Sequence, residues 1–458
     1  MQPASQSSRA VYSATRQNGW SRDFSVPGVV DGPIYAMTSD GANLYVGGQF
    51  SVAGGVAANN IAKWDGKKWH ALGEGPDNGV NATVHAMSFI DGKLFAGGLF
   101  VQAGTKRVNA LTYFDGKNWN PVSDGGENGV RKIDVFTNGD TLISSGFVYA
   151  MSIHRRSIVI GGYFHLVGKQ KTNGIAAWNL DTQQWETFNG GLASAIPNDL
   201  VYAYAFAANG DDLYAGGKFH SAGGVAARNL AKWNGTSWSA VGGGANNWVR
   251  GMEVDATGNL YIVGMFDSTG TVRAHGVAKW NKTAWETFGD VYFTPDGTGP
   301  PQIKTLCLMN NNLYVGGYFE NINDAPAWSI AKWDGAKWST VGEALGFPGR
   351  PWPGGVNAVQ AIGNRLYVGG DFSKAGDMFL GSVAYWEDAS SRWNKLSEGL
   401  AEKGIIGNGI SALAGSGNAI YAGGSFSIAG STFAKSIAKW NGSDWETLGT
   451  AAENGITG

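Results

Sequence analysis

The 458-residue sequence contains a single cysteine, Cys307. That excludes an intrachain disulfide, a zinc site built from several thiolates and a thiolate-held iron–sulfur cluster. Charge is scarce as well: Asp, Glu, Lys and Arg make up 15% of the chain, against about 25% in an ordinary globular protein. The 34 basic and 36 acidic residues nearly cancel, leaving −2, so there is no electrostatic footprint for a nucleic-acid backbone. No apolar run approaches the ~18 residues that would span a bilayer. Also missing are a His-Glu-x-x-His helix, a Gly-x-Ser-x-Gly elbow and a Walker loop. Glycine strings such as Gly242-Gly243-Gly244 precede strands rather than helices, which makes them poor phosphate cradles. Met1-Gln2-Pro3 leads into polar residues without the apolar core of a signal peptide. Low charge and one cysteine suit a secreted or periplasmic protein whose leader has been removed, and leave the cytosol open.

What the chain has instead is 71 Gly and 19 Trp, a composition suited to short strands and tight turns. The string Leu44-Tyr45-Val46-Gly47-Gly48-Gln49-Phe50 returns as Leu94-Phe95-Ala96-Gly97-Gly98-Leu99-Phe100. The first Gly of each copy falls at 47, 97, 161, 216, 264, 316, 369 and 423, giving eight copies about 54 residues apart. The fifth reads Gly264-Met265 where the others have a doublet. Each copy breaks into four short pieces, here a to d, with Asp91-Gly92 and Asp115-Gly116 as hairpin turns in the second. An aromatic residue, Trp in every copy except Phe114, recurs in strand c. Trp opens each strand d, from Trp69 to Trp445. These sixteen large rings read as packing between units, and the Gly doublets as points of close backbone approach.

Sheets this small must bury both faces against neighbours. The expected architecture is therefore all-β, an eight-bladed β-propeller of four-stranded antiparallel blades, with a linear solenoid as competitor. Residues 1–28 read as an N-terminal extension with one surplus outer-type strand, 29–450 as a single propeller domain and 451–458 as a C-terminal tail. The blades are placed at about 29–75, 80–125, 146–192, 200–244, 248–290, 301–345, 355–400 and 409–450. The surplus strand around Trp20 either competes with Trp445 for ring closure or adds an outer strand.

The Gly doublet ending strand b and the Trp opening strand d make the unit resemble the Kelch repeat over about residues 29 to 450. The Ala-Gly-Gly and Ile-Ala-Lys-Trp-Asp-Gly strings resemble the repeats of secreted and cell-surface propellers. Galactose-oxidase-like enzymes share that fold, but the resemblance implies a copper site with a Tyr–Cys crosslink and two His, which the lone Cys307 in strand a of copy six disfavours. Trp64-Asp65 is similar to a WD signature, although the partner Gly-His is missing.

In a repeat protein, function is sought where one copy departs from the rest. The d–a and b–c loops share one face of a propeller. Trp248, Trp328 and Trp352 lie in these loops, with Tyr292 and Phe293 in an enlarged link from 290 to 301. This cluster suits stacking on sugar rings or another flat ligand; the competing reading is a small core for long loops. Residues 127–146 read as an extra hairpin on the same face, a lid or wall.

The second departure is on the innermost strand. In the pattern Val-x-Ala-Met, position x reads Tyr35, His85, Tyr149, Tyr202, Arg250, Lys304, Asn357 and Ser411. Strand alternation turns x away from its apolar neighbours and toward the channel mouth. Arg250 and Lys304 could neutralise a carboxylate, while His85, Tyr149 or Tyr202 moves a proton. The competing reading is an ordinary solvated channel lining.

His165, His220 and His275, at b–c loops, lack a recurring carboxylate partner, so neither a metal nor another cofactor is assigned. His70 and His154 read as surface residues. The expected function is a monomeric ligand-binding propeller that takes a carbohydrate or an anionic or aromatic small molecule at the channel mouth. The alternatives are a metal-independent lyase or cyclase using the His/Tyr/Arg/Lys ring, and a protein-interaction scaffold.

Overall fold

The computed structural model describes residues 34–448, apart from 293–301, 347–354, 395–408 and breaks of one to three residues. The expected extension over 1–28 with Trp20, the tail 451–458, Phe293 and Trp352 lie outside the described residues. Among those described, eight four-stranded antiparallel sheets share the order a-b-c-d, and there is no α-helix. The a strands are Ile34–Ser39, Val84–Ile90, Phe147–His154, Tyr202–Asn209, Val249–Val254, Gln302–Met309, Gly355–Ile362 and Gly409–Ser416. Each packs beside the next in chain order, and the last lies against the first. An open stack would hold those two apart; sheets arranged in a cycle about a common axis are a β-propeller.

Every strand a carries a bulge at the same place. The ladder with strand b skips one residue between Val84 and Ala86, between Val148 and Ala150, and at the equivalent point of the other six sheets. The skipped residue is the variable position x. It leaves the ladder because two residues of strand a oppose one of strand b, so the bulge, and not simple alternation, aims its side chain.

The Gly doublet in strand b follows from this geometry. The second Gly faces the kinked backbone: a Cβ on Gly98, Gly162 or Gly317 would run into the carbonyl oxygen of Thr83, Phe147 or Gln302. The first Gly faces the next sheet. A Cβ on Gly47 would lie 2.5 Å from Val84 Cγ1, one on Gly97 2.5 Å from Val148 Cγ1, and one on Gly216 2.7 Å from Val249 Cγ1. One glycine makes room for the bulge and the other for the neighbouring sheet.

The aromatics close the outer part of each sheet junction. Within a sheet the c and d rings meet across the strands, as in Trp178–Trp185 with centroids 5.1 Å apart and Trp233–Trp238 at 5.4 Å. The strand-d indole then reaches back to the preceding sheet. Trp119 Nε1 donates to Leu72 O at 2.8 Å, Trp238 to Phe188 O at 2.7 Å and Trp285 to Gly242 O at 2.8 Å. Trp338 donates likewise to Phe288 O. Each such buried bond contributes on the order of 1 kcal/mol.

The loops also pair. Each b–c connection folds into a short hairpin, such as Gln102–Ala103 with Lys106–Arg107. Several d–a links add a strand to it: Leu192–Ala193 to Ser221–Ala222, and Val291–Tyr292 to Asn321–Ile322. The expected insertion is a hairpin of Val130–Val135 and Thr141–Ser145, joined to Leu166–Val167. Both loop sets therefore occupy one rim.

Substituting Gly97→Ala places a methyl against Val148 and is expected to destabilise the fold by about 1–3 kcal/mol. Urea denaturation followed by tryptophan fluorescence measures it. An unchanged midpoint would show that the sheets are not in the close contact described.

Candidate functional site

The bulges stack the innermost residues in three tiers around an open cavity of about 520 Å³. The uppermost tier is a collar containing Tyr35, His85, Tyr149, Tyr204, Lys304 and Asn357. Below it lie small residues, including Ala36, Ala86, Ala150 and Gly251, and below those an apolar tier with Met37, Met87, Met151, Phe206, Met252 and Leu306. The polar groups are thus gathered at the end of strand a next to the d–a loops. The apolar tier packs outward between sheets; Met87 and Met252 approach the strand-b glycines Gly47 and Gly216.

The structure corrects one member of the collar. In sheet four the bulge falls between Ala203 and Ala205, so Tyr204, not Tyr202, holds position x. Tyr202 is still in the ladder, opposite Lys218, and stacks on Tyr204 with centroids 5.4 Å apart and an interplanar angle of 12°. A signal for this was present. Position x precedes the second Gly by thirteen residues in seven sheets and by fourteen in sheet five, a spacing that selects Tyr204.

Ring contacts run round half the collar. Tyr35 meets His85 at 5.1 Å, His85 meets Tyr149 at 5.5 Å, and Tyr149 meets Tyr204 at 6.4 Å and Tyr202 at 6.0 Å. Tyr163 joins Tyr202 at 5.6 Å, and Phe147 joins Tyr149 at 6.3 Å. The half-buried Trp248 lies 6.0 Å from Tyr204. Arg250 packs against both, its guanidinium carbon 4.4 Å from the Tyr204 centroid and 4.8 Å from that of Trp248. Such cation–π contacts contribute about 0.5–2 kcal/mol each and hold the side chain in one orientation. Lys304 Nζ donates to Asn357 Oδ1 at 2.7 Å and lies 4.2 Å from the Tyr318 centroid, while Asn357 Nδ2 donates to Ile410 O at 3.2 Å.

Arg250 does not line the central cavity. It faces a smaller cleft of about 330 Å³ between sheets five and six, together with Tyr204, Met265, Gln302, Ile303 and Lys304. The register at this junction is also corrected. Gly264 pairs with Val249 and so matches the second Gly of the other sheets; Val263 stands where they have the first. The residue after the bulge is Gly251 where six other sheets have Ala. A Cβ there would lie 2.9 Å from Val263 Cγ2. The two departures compensate within the sheet: Val263 takes the space, and Gly251 yields it.

Burial sets the protonation states. It holds the His85 imidazole below its usual 6.5, so the ring is neutral at pH 7. Burial likewise pushes up the phenols of Tyr149 and Tyr204, and that of Tyr202 to about 12. The tyrosines are therefore hydroxyl donors at neutral pH, and His85 is the one collar group poised to accept a proton. Among the described residues no carboxylate lines the cavity or the cleft.

Other candidates fall elsewhere. Trp328 follows the b–c hairpin of sheet six with φ 42°, its N–H donating to Glu320 O at 3.2 Å, and lines neither space. The backbone of Tyr292 pairs with Asn321 on the rim. His165 Nδ1 accepts from the Ile133 N–H at 2.9 Å, anchoring the extra hairpin beside Tyr163, whose ring is 5.3 Å away. His220 Nδ1 lies 3.2 Å from Ser194 Oγ, and His275 lies 3.9 Å from Asp267. Among the described residues no three His, Cys, Asp or Glu gather as a metal site. His154, expected at the surface, is buried, because it closes the a–b hairpin opposite Ser157.

No protein-family model matches the sequence, and comparison with curated proteins finds no match. Among solved structures the chain is similar to the WD40 repeats of RRP9 (13% identity, 88% of this chain and 92% of that one, TM-score 0.42). It is also similar to YCF48 bound to a D1 peptide (10%, 82% and 98%, TM-score 0.41) and to the WD40 β-propeller domain of Doa1 (11%, 81% and 99%, TM-score 0.41). No helix among the described residues is long and apolar enough to cross a membrane. The reading of the site rests on this chain's own side chains.

The buried histidines predict a pH dependence. His85, His154 and His165 are each held below 6.5, mainly by burial. The unfolded chain takes up protons there before the folded chain does, so stability is full above about pH 6.5 and falls as the pH drops below it. Burial raises the Glu253 carboxyl from 4.5, which works in the opposite sense at lower pH. The melting temperature is expected to decline from about pH 7.5 to about 5.5, and less steeply in a His85→Asn/His154→Asn variant. Parallel curves for the two proteins would contradict the assignment.

Proposed function

We propose that the eight sheets are the blades of a closed, Kelch-like ring, and that its collar binds a carbohydrate or an anionic or aromatic small molecule. The observation that carries this reading is the Tyr204–Arg250–Trp248 cluster, set beside Lys304 on the rim of a cavity to which all eight innermost strands contribute. Aromatic faces, phenolic donors and cations without carboxylates match a flat body that carries oxygen acceptors or negative charge. The departures fall on a few sheets rather than recurring in each, which suits one site per chain. The hairpin of Val130–Val135 and Thr141–Ser145 walls this side, with Lys132 Nζ 5.9 Å from the Phe147 centroid.

A second reading is proton transfer by His85, favoured by its neutral imidazole between Tyr35 and Tyr149. With Lys304 lining the same cavity, such a base suits removal of a proton next to a carboxylate, as in a lyase.

A glycan and small-acid array is expected to give binding that Tyr149→Ala and Trp248→Ala each weaken by about 10-fold or more, equivalent to about 1.4 kcal/mol. Loss of turnover, but not of binding, in His85→Gln would favour the second reading. An array on which neither substitution changes any signal would remove the collar as a site and leave a protein-interaction scaffold.

A further inference from the structure

The cleft between sheets five and six lies where the repeat departs from its pattern. At other junctions the first strand-b glycine lets the next sheet approach to the distances noted for Gly47, Gly97 and Gly216. Here Val263 takes that place, its bulk accommodated by Gly251, and it belongs to one apolar cluster with Ile303 of sheet six. Ile303 also forms part of the cleft wall.

Into this opening the structure directs two cations and an amide from two sheets: Arg250, Lys304 and Gln302. Arg250 is half-buried and has no acidic partner among the described residues. Tyr204 and Trp248 pack against its guanidinium, which leaves the N–H edge turned away from the two rings as the part able to bind. That edge offers two parallel donors, the geometry of a planar two-oxygen acceptor. Tyr204 and Lys304 line both the cleft and the central cavity, so the two spaces adjoin.

We propose that this cleft is a carboxylate subsite. A ring-borne carboxylate lies edge-on to Arg250, its second charge contact is Lys304, and the ring that carries it extends past Tyr204 into the collar. The proposal rests on the reading of the collar as a ligand site and adds the chemical class of the group that is selected. One guanidinium edge and one ammonium suit a monoanion better than a dianionic phosphate, and the space of about 330 Å³ suits a single ring.

The test is calorimetric titration of the full chain with D-glucuronate and benzoate, and with D-glucose and inorganic phosphate as contrasts. Both carboxylates are expected to bind at least about 10-fold tighter than either contrast, and Arg250→Gln to remove that preference. Circular dichroism confirms that the Arg250→Gln variant folds. Phosphate binding as tightly as the carboxylates, or no saturable binding of either carboxylate, overturns the subsite. Carboxylate binding lost in Tyr149→Ala but kept in Arg250→Gln also overturns it while leaving the collar reading intact. Binding lost in Arg250→Gln and unaffected by Tyr149→Ala supports the cleft and overturns the collar.

Discussion

A backbone carbonyl in strand a, pushed by a bulge onto the face of strand b, is the constraint from which the rest of this propeller follows. The kink leaves no room for a Cβ opposite it, so glycine stands at Gly98, Gly162 and Gly317. The kink also takes one side chain per sheet out of the ladder and delivers it to the axis. The same irregularity that requires glycine on one strand thus supplies the collar residue on the other. A sheet with perfect alternation would send those side chains between the blades, where they would have to be apolar.

Because the constraint is repeated, a departure from it has local consequences. Val263 and Gly251 exchange size within sheet five. Arg250 lies at the junction with sheet six, packed against Tyr204 and Trp248, and Lys304 comes from the strand on the other side.

The electrostatic character of the collar has a single cause as well. Burial disfavours charge on His85, Tyr149, Tyr202 and Tyr204 alike, so these groups remain neutral hydrogen-bonding partners. Positive charge is left to Arg250 and Lys304. The acidic side chains Asp388 and Glu253 are engaged away from the cavity lining: Asp388 accepts from Tyr314, Lys332 and Trp386, and Glu253 from the Leu308 N–H.

The sequence alone determined the repeat, the four-strand unit, the aromatic pairs and all but one of the collar residues, because each is fixed by a short spacing that recurs eight times. Even the exception, Tyr204, was encoded in the distance to the second Gly and was obscured by the neighbouring Tyr202, which imitates the pattern. Tertiary structure alone decided that position x is a bulge, that Arg250 turns into a side cleft, that Trp328 stands apart from Trp248 and that His154 is buried. Several of them depend on contacts between sheets, such as that of Arg250 with Tyr204. Local spacing carries no information about how closely two sheets pack until the side chains between them are in place.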